Sequence, residues 1–179
     1  MNSTEYNSSD LVKLLQQSAI EHLTTYRQLE ARDFGSVVTI VTTDFEAMYA
    51  YKRGDYHRCL QLSTHNVHTL LFVNYCSSVL ILPGYIQLLD DDMVSLTALT
   101  LIVNPKCRDH SDNCSITQLT LSLYLMTQCQ LKLRYSVMSL AHTLNYIKIA
   151  HGRHPVDRTL DRLTLKLTAR ILLTSASAM

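Results

Sequence analysis

Glycine is scarce in this chain: Gly35, Gly54, Gly84 and Gly152 are the only four in 179 residues, and no two stand close together. A phosphate cradle needs several glycines within one turn, so P-loop and dinucleotide-binding fingerprints are excluded. The H-E-x-x-H and G-x-S-x-G signatures are missing as well, which leaves no local motif for catalysis. We therefore expect no enzyme activity, no cofactor and no metal. Charge is sparse too, at 17% of residues against 47% hydrophobic. That balance excludes a disordered chain and suits helices shielded by their neighbours or a surface meant for a partner.

The start, "MNSTEYNSSD", lacks a charged segment followed by an apolar core, so no secretory leader is read there. Five cysteines, an odd number, point to free thiols and not to a disulfide framework. Together these predict an intracellular, cytoplasmic protein, in which the sequons at Asn2, Asn7 and Asn113 have no role.

From Cys59 to Leu89 there is no Asp, Glu, Lys or Arg, and "LLFVNYCSSVLILPGYIQLL" has the length of a membrane span. Asn74, Ser77, Ser78 and Pro83-Gly84 interrupt it, and Asp90, Asp91 and Asp92 follow directly. A buried helix ending near Leu82 is the favoured reading, with no membrane partner. The charges that exist are unevenly placed. Residues 1–130 hold 8 Lys/Arg against 13 Asp/Glu, whereas residues 131–179 hold 8 against 2.

What is present is helical periodicity. Leu11, Leu14, Leu15, Ala19, Leu23, Tyr26 and Leu29 share one face, after Ser8, Ser9 and Asp10 as candidate N-caps. Thr43 and Glu46 have the spacing of a capping box, although "FGSVVTIVTT" before them could begin the same helix. Gly54 can take the left-handed conformation that ends one helix, and Asp55 can cap the next by accepting the backbone N–H near Arg58. Two helices joined by so short a turn lie antiparallel; small Cys59 permits close approach and Tyr56 covers the open end.

Further helices are read from Tyr85 to about Val103, from a capping box at Ser115 and Gln118, and from Ser136, with Val137, Leu140, Ala141, Leu144 and Ile147 on one face. Gly152 is expected to end that helix and Pro155 to sit in the first turn of the last one. "LTLSLYL" and "LTLKL" alternate with the period of a strand, which keeps an α+β fold as the alternative. Helix is favoured, because the uncharged run from Ser115 to Leu131 is longer than most strands. The expected organisation is a disordered polar stretch at 1–9, one helical domain at 10–174 and a frayed end at 175–179.

"AYKRGDYHRCLQLS", residues 50–63, resembles the centre of a tetratricopeptide (TPR) repeat. Gly54 and Tyr56 fall on the turn glycine and following tyrosine of that motif, Cys59 and Ala47 on its small positions. The resemblance covers about one repeat. Thr43 and Glu46 replace its tryptophan and leucine, and Leu71 its closing proline. It implies an all-α fold of antiparallel hairpins stacked as an array, a non-catalytic function in protein or peptide binding, and a groove lined by Asp44, Met48 and Tyr51. Asp44 and Met48 do not suit a groove that clamps a C-terminal carboxylate. The run from "EAMYAYKRGDY" through "YIQLLDDDMVSL" to "ITQLTLSLYLMTQCQLKL" is also similar to helical C-terminal regions beside male-abnormal, cyclic-GMP-AMP-synthase-like nucleotidyltransferase domains of marine invertebrates. That implies an accessory region, because the Gly-Ser loop and paired carboxylates of the enzyme are not in this sequence.

Three clusters carry rival readings. Asp90–Asp92 could hold a divalent cation, but a helix-capping or solvated run is favoured. Cys107, His110 and Cys114, with His65 or His68, have zinc-ligand chemistry; a polar loop with free thiols accounts for them equally and is preferred. Arg158, Arg162, Lys166 and Arg170 recur at four-residue steps beside Leu160, Leu163, Leu167 and Ile171. They are read as the solvated face of a terminal helix, or as a contact for nucleic-acid phosphates, without interleaved aromatics to stack on bases.

Overall fold

The fold is given by a computed structural model, which describes residues 17, 18, 21, 37–72, 80, 81, 116–153 and 159–177. Five helices and one short strand pair make up these residues: α1 Val37–Lys52, α2 Tyr56–Phe72, β1 Leu80–Ile81, β2 Ile116–Thr117, α3 Gln118–Lys132, α4 Val137–Arg153 and α5 Thr159–Ser177. The fold is predominantly all-α. The strands pair antiparallel, with Leu80 opposite Thr117 and Ile81 opposite Ile116.

Two helix–turn–helix joints use the same backbone solution. At the end of α1, Gly54 has φ +78°. Its N–H donates to the Tyr51 carbonyl at 3.0 Å, and the Asp55 N–H donates to Ala50 at 2.9 Å. This crossed pair satisfies carbonyls that the helix leaves open at its C-terminus. Asp55 Oδ1 then accepts the Arg58 N–H at 3.1 Å, capping α2 as its position predicts. At the end of α3, Arg134 takes the glycine role at φ 54°, with Arg134 N–H on Leu131 at 3.1 Å and Tyr135 N–H on Gln130 at 2.9 Å. Ser136 caps α4 as expected, accepting the Ser139 N–H at 3.5 Å.

The core is organised around α3. It packs against α1, α2, α4 and α5, and 12 of its 15 residues are buried; solvent reaches it only at its C-terminal end, at Gln128, Leu131 and Lys132. A helix surrounded in this way cannot carry a charged stripe, which is why residues 115–131 contain no Asp, Glu, Lys or Arg. In a one-dimensional stack each helix pair would touch only adjacent pairs. Here a single helix touches four others, and the described residues form a bundle.

Several boundaries differ from the expectations above. Thr43 does not open a helix: α1 begins at Val37, so Thr43 and Glu46 lie mid-helix and are buried. The N-cap of α3 is Thr117, not Ser115; its side chain accepts the Thr120 N–H, because Ile116 and Thr117 are first drawn into the strand pair. The helix through Val67 and Leu71 is described as far as Phe72 and does not extend to Leu82, since Leu80 and Ile81 are extended. Gly152 sits inside the last turn of α4. Val137 and Ala141 are exposed, while Leu140, Thr143, Ile147 and Ala150 make the buried stripe of α4. The last helix continues through Ser177. Gln17, Ser18 and Glu21 are helical, with Gln17 donating to Glu21 at 3.2 Å. The rest of the first amphipathic segment, the helix read at 85–103 and Pro155 lie outside the described residues.

Candidate functional site: a two-arginine cleft beside the Gly54 turn

Glu46, Tyr49, Ala50 and Arg53 are spaced by three and four residues, so they form a single stripe that runs along α1 into the turn that ends it. The Gly54 turn reverses the chain and sets Asp55 and Arg58, at the start of α2, beside the end of that stripe. These six residues line an open cleft of about 480 Å³. Such a volume is within the range of ligand sites, and the lining is mixed polar and aromatic.

The two guanidinium groups are held differently. Arg53 lies over the Tyr49 ring, 5.5 Å from its centre, and its Nη1 donates to the Tyr49 hydroxyl at 3.1 Å. Neither contact is with a carboxylate, although Glu46 and Asp55 share the cleft lining. Arg58 Nη2 donates to Glu46 Oε2 at 3.5 Å, at the outer limit of a hydrogen bond. The Arg58 side chain is 62% exposed, whereas Glu46 is 6% exposed. Each guanidinium carries five N–H donors, and one of them is engaged. Asp55 contributes its carboxylate to the α2 cap.

The expected groove residues are not on this surface. Asp44 is 1% exposed and Met48 is also buried, so neither lines an open groove; the face of α1 that carries them packs inward against α2 and α3. Tyr51 is half-buried and packs edge-on against Tyr56, ring centres 5.7 Å apart. Asp44 instead joins three helices. Its Oδ1 accepts from Ser122 Oγ on α3 at 2.6 Å and from Asn66 Nδ2 on α2 at 2.9 Å; Asn66 also donates to the Ile40 carbonyl at 3.2 Å. Asp44 Oδ2 is buried without a hydrogen bond. Burial pushes this carboxyl up from its ordinary 3.8 to about 7, against the lowering effect of the Ser122 and Asn66 bonds.

Cys59 is fully buried and is a free thiol like Cys129 on α3. The Cys129 thiol is pushed up by its hydrogen bond with Cys59 and by burial. Arg162, Lys166 and Arg170 are exposed on α5; Arg158 lies outside the described residues. The buried side of α5 is Leu160, Asp161, Thr164, Leu165, Thr168 and Leu172, so the row expected to be apolar, Leu163, Leu167 and Ile171, is only half-buried. Cys107, His110, Cys114 and Asp90–Asp92 also lie outside the described residues, and His65 and His68 are exposed. Among the described residues no three His, Cys, Asp or Glu side chains converge, and no helix is long and apolar enough to cross a membrane.

The cleft escaped sequence reading because its stripe mixes an acid, an aromatic, an alanine and a cation, which no motif describes. Its signal was the recurrence of those residues at helical steps immediately before the turn. Comparison with protein-family models, with curated proteins and with solved structures found no match.

Proposed function

We propose that this chain is a non-catalytic helical interaction module, built on a TPR-like hairpin, that binds a segment of another protein in the cleft beside Gly54. The observation that carries the reading is the Arg53 guanidinium, held by neutral Tyr49 on the wall of an open cleft. An oriented charge with spare donors is a recognition group, and it sits on the hairpin whose sequence resembles a binding repeat. Two buried free thiols, Cys59 and Cys129, suit a reducing, cytoplasmic setting.

A second reading rests on Arg162, Lys166 and Arg170, exposed on α5 with no carboxylate partner among the described residues. That row would contact nucleic-acid phosphates, with affinity that falls steeply as salt rises.

A benzophenone amino acid placed at Gln61, exposed one turn after Arg58, or at Lys166 separates the two. On irradiation in cells, the Gln61 position is expected to form a protease-sensitive adduct and the Lys166 position none. A nuclease-sensitive adduct at Lys166 with nothing at Gln61 would replace the first reading by the second.

A further inference from the structure

Resting on that reading, we propose that the group seated in the cleft is the carboxylate of an Asp or Glu side chain in an acidic segment of the partner, held between Arg53 and Arg58. Arg53 has the stronger claim as an anchor. Tyr49 fixes it from below through its ring and from the side through its hydroxyl, so little side-chain freedom remains to be lost on binding. Arg58 shares the lining, with most of its side chain in solvent and one long contact to Glu46. A planar carboxylate is the shape that a guanidinium fork receives with two parallel bonds.

The charge of the cleft selects among anions. Its two cations share the lining with the carboxylates of Glu46 and Asp55. A phosphate group with close to two negative charges would meet both acids at short range, and a polyphosphate backbone would meet them repeatedly. A single carboxylate brings half that repulsion and retains the Arg53 bond. Tyr49 and Ala50 give the aliphatic stem of a Glu or Asp side chain an apolar surface to lie on.

The test uses the full 179-residue chain labelled with ¹⁵N, observing the Nε–H resonances of Arg53 and Arg58. The probes are an end-blocked peptide of alternating Glu and Ala, the same peptide with Gln for Glu, and inorganic phosphate. The expected result is that the Glu peptide shifts both arginine signals and the other two probes leave them in place. Arg53→Gln should weaken that peptide by about tenfold, as the loss of a charge-assisted bond does. Arg58→Lys, which keeps the charge beside buried Glu46, should weaken it less. If the Glu and Gln peptides shift the cleft equally, the carboxylate assignment is overturned and the cleft stands as a peptide site. If phosphate shifts it and neither peptide does, a phosphate ligand replaces the carboxylate. If none of the three perturbs Arg53 or Arg58, both this assignment and the cleft reading fall.

Discussion

Ionising Asp44 places a negative charge where only two neutral donors face it and one oxygen has none. The titratable side chains buried on the surrounding helices are Glu46 on α1, Cys59 on α2, and Tyr124 and Cys129 on α3; the shift of Asp44 arises from burial, opposed by Ser122 and Asn66. Its direction fixes a pH dependence. A carboxyl raised from 3.8 to about 7 on folding gives stability that is complete below pH 3.8 and is lost as pH rises through 7. The span is worth on the order of 4 kcal/mol for a fully buried group. Asp44→Asn keeps the shape and removes the charge. Urea unfolding followed from pH 4 to pH 8 should therefore fall with pH in the parent chain and lose most of that slope in the variant, which should be the more stable of the two at pH 8. Parallel curves would mean that Asp44 does not control the slope. None of this was legible from "TTDFEAM", because Asp44 and Glu46 both read equally as solvated positions until Asn66 and Ser122 are brought to Asp44 from 22 and 78 residues away.

Helix ends were the most legible elements where the turn chemistry is local. Gly54, Asp55 and Ser136 act in the structure as their residue types require. Arg134 is the exception: a backbone that asks for glycine is occupied by a long, unbranched cationic side chain. Replacing each residue by the other's logic should move stability in opposite directions. Arg134→Gly relieves a left-handed conformation that costs an L-residue roughly 1–2 kcal/mol, offset in part by the extra freedom of glycine in the unfolded chain, so a gain of about 0.5–1 kcal/mol is expected. Gly54→Ala meets no atom within 4 Å, so its cost is backbone strain alone, about 1 kcal/mol. Denaturant midpoints should shift up for the first and down for the second, with unchanged slopes. The strand-like alternation of "LTLSLYL" has a different origin. With every side of α3 buried, its small polar residues face other elements: Thr120 bonds to Thr117, Ser122 to Asp44, and nearby Gln130 accepts from Thr143. Period two here records where partners lie, and the uncharged length, not the alternation, revealed the helix.

For the whole molecule, the sequence indicated helical class and missed the centre. Pairing rules join neighbours along the chain, so they lead to a stack of hairpins; what makes α3 central is contact with α1, α2, α4 and α5 at once, and only the absence of charge hinted at it. The basic row on α5 and the cleft at the α1–α2 turn lie on different helix pairs, so they are separately testable surfaces.

The short strand pair has a topological consequence. Because Ile81 and Ile116 are direct partners, two distant points of the chain are clasped side by side, and Asp161 on α5 ties the second strand to the last helix by accepting the Thr117 N–H at 2.7 Å. Closure entropy grows only with the logarithm of contour length, so doubling the contour between these partners with a flexible insert should lower stability by about 0.6 kcal/mol, readable as a small change in denaturant midpoint. A collapse of the transition would show instead that the clasp depends on the residues between its strands. If it holds, the clasp is set by the helices that anchor it and not by the length of chain it closes.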